Sequence, residues 1–500
     1  MGNSDFLEMR GICKSFDGTQ ALQHVNFSAA AGEVHAISGE NGAGKSTLVK
    51  ILSGALQSAA GEILLDGKLI ELGTPLRARR LGIYAVYQEF SLISHLTIAE
   101  NILLGQMPST RVPGVVNWTK AFHRAEEILK SIGFVGIDVR KTVRELSVSH
   151  QQMVEIAKAV ADQRRILILD EPSAVLSQEE LNRLFALVRQ LKLEGTLVLY
   201  ISHRLDEVFE IADRITVLKD GQFIGTVTSQ ESDQNQLIKM MVGRTLGEIF
   251  PTRDPPGAEV ALEVRNLSKE GNFSDISFSI RRGEILGMFG LVGSGRTQVA
   301  RCIFGAEPLT EGEILLNGKS IDPRSPREAV LEGIALLTED RKRDGLVMSC
   351  NIRDNASMAS YPTLSSWGVI NRRNQATQVQ QKVQELDVRP ALLDRIASHL
   401  SGGNQQKLVL AKWLITQASV LVLDEPTRGV DVATKVEIYQ IINNLARDGL
   451  GILLISSELP EILGMSDRTL VMREGRLVGE FPRAKSSEEI LLAAAAGVSQ

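Results

Sequence analysis

The sequence contains little cysteine and few aromatic residues, and it has no long hydrophobic run. Its three cysteines, Cys13, Cys302 and Cys350, are scattered over 500 residues without a Cys-x-x-Cys spacing. This pattern argues against a disulfide framework or a cysteine metal site and predicts reduced thiols. No uninterrupted apolar stretch approaches the ~18 residues that a membrane-spanning helix needs. The first residues lack a basic start followed by an apolar segment, so we expect no signal peptide.

A strong excess of charge of one sign is also missing. The chain has 55 Lys and Arg against 60 Asp and Glu, a net charge of −5, which argues against a chain-wide electrostatic contact with nucleic acid. The short basic run Arg341-Lys342-Arg343 is interpreted as solvated surface. Hydrophobic residues make up 43% of the chain, which predicts folded domains with sizeable cores. At ~150 residues per domain, the length predicts two to four of them.

What the sequence does contain is an internal repeat. The octapeptide GEILLDGK at residues 61–68 returns as GEILLNGK at residues 312–319, an offset of 312 − 61 = 251. The tetrapeptide LDEP at residues 169–172 returns at residues 423–426, an offset of 423 − 169 = 254. The chain is therefore predicted to hold two homologous domains, residues 1–244 and 259–500. A proline-containing linker is predicted at residues 245–258, because proline ends helices and interior strands.

Each repeat predicts an α/β fold. Apolar, β-rich runs at residues 34–38, 166–169 and 197–201 end in glycine-rich or acidic turns and are followed by helical patterns. Continuous apolar strands that alternate with helices are typical of a parallel sheet buried on both faces. The sequence therefore predicts two tandem α/β domains.

Residues 39–46 fit the phosphate-binding pattern G-x-x-x-x-G-K-[ST], the P-loop. They follow an apolar strand and precede a helix-forming run that starts at Thr47, which is the context that the motif requires. The glycines allow successive backbone N–H groups to surround phosphate oxygens at a helix N-terminus. Lys45 is expected to reach the β- and γ-phosphates, and the Ser46 hydroxyl to ligate Mg²⁺. The predicted nucleotide-binding residues are Gly39, Glu40, Asn41, Gly42, Ala43, Gly44, Lys45, Ser46 and Thr47.

The second repeat carries an altered version of this loop. Residues 290–297 keep Gly290, Gly295 and Thr297, but Arg296 stands where the first repeat has lysine. Arginine keeps the charge but has a larger, planar head that cannot simply replace a compact ammonium group. The second loop is therefore a candidate for nucleotide binding with impaired catalysis.

Paired carboxylates follow a strand in each repeat. Asp170 and Glu171 end one apolar run, and Asp424 and Glu425 end its counterpart. A strand-terminal aspartate can hold Mg²⁺, and the adjacent glutamate can orient or deprotonate an attacking water. A simple turn would account for one such pair, but its repetition behind each phosphate loop favours the chemical interpretation.

With these motifs in place, the chain resembles the ATP-binding subunits of ABC transporters, two tandem P-loop NTPase domains. The diagnostic segment is residues 400–406, Leu-Ser-Gly-Gly-Asn-Gln-Gln, which is similar to the family's signature loop and contains Ser401, Gly402 and Gly403. In that family two nucleotide-binding domains pair head to tail. Each ATP then lies between one domain's phosphate loop and the other domain's signature loop. For the heptapeptide alone, a capped helix start is the alternative interpretation.

The resemblance implies further site residues. Gln88 matches the family's glutamine that touches the Mg²⁺ and water site, and His203 matches the histidine that contacts the γ-phosphate. Phe16 matches the aromatic residue that stacks on adenine, with a plain core phenylalanine as an equal alternative. Asp431 matches the aspartate that crosses to the opposite site. The expected catalytic residues are Lys45, Gln88, Glu171 and His203, and the expected metal-binding residues are Ser46, Gln88 and Asp170.

The two sites that the resemblance implies are unequal. Site one pairs the first phosphate loop with residues 401–403 and has every role filled. Site two pairs Arg296 with residues 147–149, Ser-Val-Ser, where both glycines are lost. The repeat offsets also place Glu339 at the position of Gln88 (339 − 88 = 251) and Ser457 at that of His203 (457 − 203 = 254). We therefore expect site one to hydrolyse ATP and site two to be slow or structural.

Features of the second repeat resemble bacterial monosaccharide importers of the ribose, galactose, xylose and arabinose type. They lie in residues 295–297, 338–346 and 456–461. The resemblance implies an ATPase that energises sugar import, ribose being the first guess, with ATP and Mg²⁺ as cofactors. It implies two membrane permease subunits and a periplasmic sugar-binding protein as partners, and no nucleic acid. It also implies a peripheral location on the cytoplasmic face of the bacterial inner membrane.

Two other functions stay open at this point. Soluble tandem ABC proteins that act on ribosomes usually carry a long basic linker and two intact sites, whereas this chain has a short linker and one altered site. A nucleotide-binding regulatory module without turnover is disfavoured by the filled site one, which includes both Glu171 and His203.

Overall fold

The computed structural model describes residues 6–497, apart from residues 17–18, 41, 88–89, 113, 135, 162–163, 174, 203, 244–249 and 292 and the side chains of residues 19, 178 and 242. The chain divides into two compact units, Met1–Leu246 and Gly247–Gln500, here called unit 1 and unit 2. The predicted linker at residues 245–258 lies partly outside the described residues. In the part of the chain that is described, no helix is long and apolar enough to cross a bilayer.

Unit 1 alternates strands and helices. Its strands are β1 (Leu7–Phe16), β2 (Thr19–Ala29), β3 (Val34–Gly39), β4 (Ala60–Leu65), β5 (Lys68–Ile70), β6 (Ile83–Val86), β7 (Ile166–Asp170), β8 (Leu197–Ile201), β9 (Arg214–Lys219) and β10 (Gln222–Thr228). Its helices are α1 (Lys45–Leu52), α2 (Pro75–Arg80), α3 (Ile98–Ile102), α4 (Trp118–Ser131), α5 (Val148–Val160), α6 (Gln178–Leu193), α7 (Leu205–Ile211) and α8 (Gln234–Val242).

The larger sheet of unit 1 has the strand order β10-β9-β3-β8-β7-β6. Its neighbouring strands are parallel, except that β10 runs antiparallel to β9. Strands β3, β7 and β8 are buried along their whole length, as expected for a sheet covered on both faces. The carboxyl ends of these strands meet at one edge, so the residues that follow β3, β7 and β8 are brought together there.

A second, antiparallel sheet lies on one side of this larger sheet, with the order β2-β1-β4-β5. Apolar residues of both sheets and of α1 form one buried cluster. On the other side, α4, α5 and α6 bury a second cluster against the larger sheet. The fold is thus layered, with the parallel sheet between two cores.

Unit 2 repeats this plan. Its strands are β11 (Val260–Lys269), β12 (Phe273–Arg281), β13 (Ile285–Gly290), β14 (Glu311–Leu316), β15 (Lys319–Ile321), β16 (Ile334–Leu337), β17 (Ser365–Ser366), β18 (Val369–Ile370), β19 (Val420–Asp424), β20 (Gly451–Ile455), β21 (Arg468–Arg473) and β22 (Arg476–Pro482). Its helices are α9 (Arg296–Ile303), α10 (Pro326–Glu332), α11 (Ile352–Ser357), α12 (Tyr361–Leu364), α13 (Arg372–Glu385), α14 (Gly402–Leu414), α15 (Val432–Arg447), α16 (Leu459–Met465) and α17 (Glu488–Ala496).

The larger sheet of unit 2 has the order β16-β19-β20-β13-β21-β22, and the smaller one the order β12-β11-β14-β15. The two units therefore share one topology, and the predicted α/β fold of each repeat is confirmed. Unit 2 differs in a π-helical turn, Arg341–Gly345, and in the small hairpin of β17 and β18. Short 3₁₀ turns complete the chain at Val143–Glu145, Met358–Ser360, Ala397–His399 and Arg483–Lys485.

The chain that precedes β11 is anchored on unit 2. The Phe250 ring packs on Tyr439, with ring centroids 5.1 Å apart. The buried Arg253 guanidinium donates to Asp467 at 2.7 Å and to the Gly283 carbonyl at 2.9 Å. In unit 1 the residue aligned with Asp467 is Asp213, which pairs instead with Lys192 of α6. The chain between the repeats thus supplies unit 2 with a cation that unit 1 takes from its own helix.

Candidate nucleotide-binding sites

The phosphate loop of unit 1 connects the buried strand β3 to helix α1. Gly44 is the residue before α1, and its backbone has φ 98°, in the left-handed region. A Cβ atom at Gly44 would lie 2.6 Å from the Leu22 side chain and 2.7 Å from the Ala21 carbonyl oxygen. This position therefore requires glycine for its conformation and for its close contact with β2. The loop delivers the N-terminus of α1, with its unsatisfied N–H groups, to the edge of the sheet.

The Lys45 ammonium lies inside this loop. The residue is 8% exposed, and its Nζ donates to the carbonyl oxygens of Gly39 and Glu40 at 2.7 and 2.8 Å. The next residue, Ser46, is exposed, and its side chain interacts with the carboxylate of Asp170 at the end of β7. The structure thus brings Lys45, Ser46 and Asp170 together, as the sequence predicts.

The two carboxylates at the end of β7 have distinct environments. Burial is the main cause that raises the pKa of Asp170, and the neighbouring Glu171 adds to it, while Lys45, Lys50 and Ser46 oppose the rise. Glu171 has φ 49°, a left-handed conformation that is uncommon outside glycine. Its N–H donates to the Ile201 carbonyl at 2.9 Å. Strain of this kind persists where the surrounding structure imposes it and is frequent at functional sites.

The donor set suits a nucleotide with Mg²⁺. A serine hydroxyl and a carboxylate are hard oxygen ligands of the type that Mg²⁺ prefers. The loop N–H groups, the helix N-terminus and the Lys45 ammonium are the groups that bind phosphate. The close fit at Gly44, where a Cβ would meet Leu22 and Ala21, keeps the loop backbone in the conformation that this cradle requires. The residues present therefore fit the group that the motif predicts.

Three predicted site residues, Asn41, Gln88 and His203, lie outside the described residues. The neighbours of His203 are described: the Ser202 hydroxyl donates to the Glu207 carboxylate at 3.2 Å. Glu207 is 2% exposed and also accepts from Ser173 at 2.6 Å and from Tyr200 at 2.9 Å. It therefore ties the chain after Glu171 to the chain around position 203.

Glu207 is a site residue that the sequence motifs do not predict. A signal existed, because the second repeat has Glu461 at the same place (461 − 207 = 254). Glu461 is likewise buried and accepts from Thr427 at 2.8 Å. A buried carboxylate retained in both repeats could have been found by searching the alignment of the repeats for acids outside the motifs.

Phe16 ends β1 and is 45% exposed. The Lys14 ammonium lies 5.5 Å from the centroid of its ring. The following strand β2 contains Ala21 and Leu22, the residues that contact Gly44. An exposed aromatic ring on a hairpin next to the phosphate loop suits a base-stacking role, and it disagrees with the alternative of a core phenylalanine.

The loop of unit 2 also has a left-handed glycine before its helix, but its side chains are arranged differently. It joins Gly290, the last residue of β13, to Gly295, which precedes α9 with φ 100°. Arg296 is 9% exposed, and its Nη1 donates to the Ser456 carbonyl oxygen at 2.7 Å. The Thr297 side chain interacts with the carboxylate of Asp424. Lys45 donates to carbonyl oxygens of its own loop, whereas Arg296 reaches across to the end of β20.

Arg296 and Ser457 also contact Glu425. The guanidinium lies 3.8 Å from Glu425 Oε1, and the Ser457 hydroxyl donates to Oε2 at 3.1 Å. Burial raises the pKa of Glu425 to about 7, and the nearby Arg296 opposes the rise. Near neutral pH about half of this carboxyl is therefore protonated, and both of its oxygens already face groups of the same chain.

The raised pKa gives a testable pH dependence. A carboxyl whose pKa is higher in the folded than in the unfolded state binds a proton preferentially when folded, so stability falls as the pH rises through the interval between the two values. Glu425→Gln removes this loss. We expect the variant to match the wild type near pH 5 and to exceed it in the free energy of unfolding by up to about 3 kcal/mol near pH 8.

Denaturant unfolding at both pH values measures this difference. Glu313→Gln, at an exposed position of the same unit, is the matched control. A gap between Glu425→Gln and wild type that is equal at both pH values would contradict the prediction.

The signature segments begin helices in both units. Ser401 precedes α14 and accepts from the side chain of Asn404 at 2.9 Å. In unit 1, Ser147 precedes α5 and lies 3.1 Å from the Ser149 hydroxyl, while the Val148 side chain is 53% exposed. The helix-start interpretation and the signature interpretation are thus compatible, since the loop is also the helix N-terminus. Asp431 likewise begins α15 and accepts from the Thr434 N–H at 2.8 Å.

Comparison with known proteins agrees with this geometry. The ABC transporter family model matches residues 22–174 and 273–428. A ribose import ATP-binding protein of Rubrobacter xylanophilus is 47% identical, over 99% of this chain and 98% of its own length. A ribose import ATP-binding protein of Geobacillus kaustophilus is 44% identical, over 98% and 99%. A xylose import ATP-binding protein of Thermoanaerobacter pseudethanolicus is 44% identical, over 98% and 99%. The chain therefore belongs to the ABC transporter family, with one nucleotide-binding domain in each unit.

Proposed function

We propose that this protein hydrolyses ATP at a site built on unit 1 and thereby energises the import of a monosaccharide through a membrane permease. The observation that carries the ATPase part is the apposition of Lys45, Ser46 and Asp170 at the sheet edge, with Glu171 next in the chain. The sugar is inferred from relatives that match nearly the whole chain and are named for ribose or xylose import. Ribose is the first candidate.

In the proposed site, Lys45 neutralises charge on the β- and γ-phosphates, and residues 39–47 surround them. Ser46 and Asp170 hold Mg²⁺, with Gln88 as a further ligand. The metal supplies charge neutralisation at the transferring phosphoryl group. Glu171 orients the attacking water and accepts its proton, His203 contacts the γ-phosphate, and Phe16 stacks on the adenine.

The second copy plays a supporting part in this proposal. Head-to-tail pairing would let Ser401, Gly402 and Gly403 meet the γ-phosphate bound to unit 1 and so complete site one. Gly290, Gly295, Arg296 and Thr297 would hold a second nucleotide that turns over slowly. Support comes from the Arg296 guanidinium, which is already bonded to the Ser456 carbonyl and close to Glu425.

The partners follow from the same proposal. Two permease subunits and a periplasmic sugar-binding protein would complete the transporter, and the chain would sit peripherally on the cytoplasmic face of the inner membrane. ATP would close the paired domains and hydrolysis would reopen them, so that differential affinity of the nucleotide for the closed state drives the permease. Nucleic acid has no part in this scheme.

The test is uptake of labelled ribose, galactose, xylose and arabinose by cells that lack the gene. Rescue is attempted with the wild-type chain and with Lys45→Ala, which removes the buried ammonium of the loop. We expect uptake of one sugar to be lost and to be restored by the wild type alone. Undiminished uptake of all four sugars, with the chain sedimenting on ribosomes, would overturn the transport proposal in favour of the ribosomal alternative.

A further inference from the structure

The π-helical turn of unit 2 places an arginine between two functional loops. β16 ends at Leu337, and the turn Arg341–Gly345 follows it. The repeat offset puts Arg341 at the place of Phe90 in unit 1 (341 − 251 = 90). The expectation that this basic run is solvated surface is confirmed for its exposed neighbours Lys342 and Arg343. It is wrong for Arg341, because this side chain turns inward to protein partners.

The partners of Arg341 are backbone and amide oxygens. Its Nη1 donates to the Arg428 carbonyl at 3.0 Å and its Nη2 to the Gly429 carbonyl at 3.2 Å. Its Nε donates to the Gln405 side-chain oxygen at 3.4 Å. Residues 428 and 429 belong to the loop that follows Asp424 and Glu425, and Gln405 lies in the first turn of α14. One guanidinium thus joins the end of β19 to the signature helix.

The signature loop is held through the same contacts. Gln405 donates to the carbonyl of Leu400, the residue before Ser401, at 3.1 Å. A Cβ atom at Gly402 would lie 2.8 Å from Arg341 Nη2, so the guanidinium packs directly on this glycine. Glu339, at the place of Gln88, forms an ion pair with Arg428. Arg341 therefore contacts the signature loop directly. It is linked to Glu339 through Arg428, because it donates to the Arg428 carbonyl and the Arg428 side chain pairs with Glu339.

Arg341 occurs in the repeat that keeps the two signature glycines. In unit 1 a phenylalanine stands at the place of Arg341, and Val148 and Ser149 stand at the places of Gly402 and Gly403. A planar guanidinium can bond three acceptors at once in a fixed fork, whereas phenylalanine offers none. Arginine and an intact signature loop thus occur together in unit 2.

We propose that Arg341 is a positioning residue for ATP hydrolysis: it holds the signature loop, Ser401–Gly403, in register with the loop after Glu425. The inference rests on the proposed function, in which that signature loop completes the site on unit 1. Arg341 itself acts through Gly402 and Gln405. Its loss therefore affects the rate of the chemical step more than nucleotide binding to the loop of unit 1.

The experiment compares Arg341→Ala, Arg341→Lys and Arg343→Ala in the full-length chain, by steady-state ATP hydrolysis over a range of ATP concentrations. We expect Arg341→Ala to lower kcat by roughly 10- to 100-fold, as for the loss of a charge-assisted hydrogen bond, with KM within about twofold of wild type. Arg341→Lys keeps the charge without the fork and should recover only part of the rate. Arg343→Ala, in the same turn but exposed, should behave as wild type.

A double-mutant cycle with Ser401→Ala separates positioning from general destabilisation. If Arg341 acts through the signature loop, the loss in the double variant is smaller than the product of the two single losses. Multiplicative losses would overturn the inference. An equal loss of hydrolysis in Arg341→Ala and Arg343→Ala would also overturn it. So would a loss in Arg341→Ala that accompanies a drop in Tm, if Arg341→Lys shows the same drop.

The same measurements distinguish the inference from the function beneath it. Wild-type hydrolysis well above that of Lys45→Ala, together with an unaffected Arg341→Ala, overturns the positioning role and leaves the ATPase intact. Wild-type hydrolysis no higher than that of Lys45→Ala overturns the proposed function, and the positioning role with it.

Discussion

Glu171→Gln is expected to lower single-turnover ATP hydrolysis by about 10²- to 10⁴-fold, the range that loss of a catalytic general base typically gives. Glu425→Gln is expected to change it by less than about twofold. The two substitutions are chemically identical and fall at equivalent places of the two repeats. The difference between them therefore measures how unequal the two sites are.

The expected difference has a physical cause in the surroundings of each carboxylate. Glu171 adjoins Asp170, whose carboxylate interacts with Ser46 and with the ammonium of Lys45. Glu425 lies between the Arg296 guanidinium and the Ser457 hydroxyl, and burial raises its pKa to about 7. A carboxylate that an arginine and a serine of its own chain already hold is less available to orient and deprotonate an attacking water.

Hydrolysis is followed with enzyme in excess over ATP, and Lys45→Ala supplies the baseline. Binding of a fluorescent ATP analogue checks that both variants still load nucleotide, which is needed because Glu425 contacts Arg296 of the second phosphate loop. Equal losses in the two variants would mean that both sites hydrolyse ATP. A larger loss in Glu425→Gln would invert the assignment of site one and site two.

Local patterns in the sequence were sufficient to predict the fold and the phosphate loops. Strand, glycine-rich loop and helix are contiguous at residues 34–52, and the pattern determines their order directly. The repeat then doubled every such prediction. The inability of Arg296 to replace a lysine followed from side-chain shape alone. Side-chain shape does not predict which acceptor the Arg296 guanidinium bonds, because Ser456 lies 160 residues further along the chain.

The features that the sequence did not predict depend on contacts between distant segments. The sequence alone predicts an ordinary surface position for Arg341, because the acceptors that orient it, at residues 405, 428 and 429, are 64 to 88 positions away. The left-handed backbone at Glu171 and at Glu425 has no sequence signature either, because glutamate has no preference for that region. In both cases the tertiary structure overrides what the local residues would favour.

Gly403→Ala is the second substitution for which we expect a large loss of hydrolysis, up to about 10²-fold, because small displacements of a positioning group have effects of that size. A Cβ atom at Gly403 would lie 2.6 Å from Thr434 Cγ2 and 2.7 Å from Thr434 Oγ1. Thr434 is in the first turn of α15, next to the loop that contains Gly429. The added methyl group therefore requires the Thr434 side chain or the signature helix to shift.

Unit 1 shows how the same pair of helices packs when the glycine is absent. Ser149 stands at the place of Gly403, and Glu180 at that of Thr434 (434 − 254 = 180). These two side chains interact, so contact between the helices is made by side-chain tips instead of by close approach. Ser149→Ala is accordingly the matched control, with an expected change in hydrolysis of less than about twofold.

A second substitution, at Thr434, tests whether the steric clash causes the loss. If the clash with Thr434 is the cause, Gly403→Ala combined with Thr434→Ala should recover hydrolysis to within a few-fold of Thr434→Ala alone, because the two sites couple through that contact. A double variant as inactive as Gly403→Ala alone would show that the methyl group acts elsewhere, for instance on the phosphate itself. Thermal unfolding of Gly403→Ala, Thr434→Ala and the double variant tests whether the loss of hydrolysis reflects loss of the fold. We expect the double variant to hydrolyse ATP faster than Gly403→Ala even where the two have the same melting temperature.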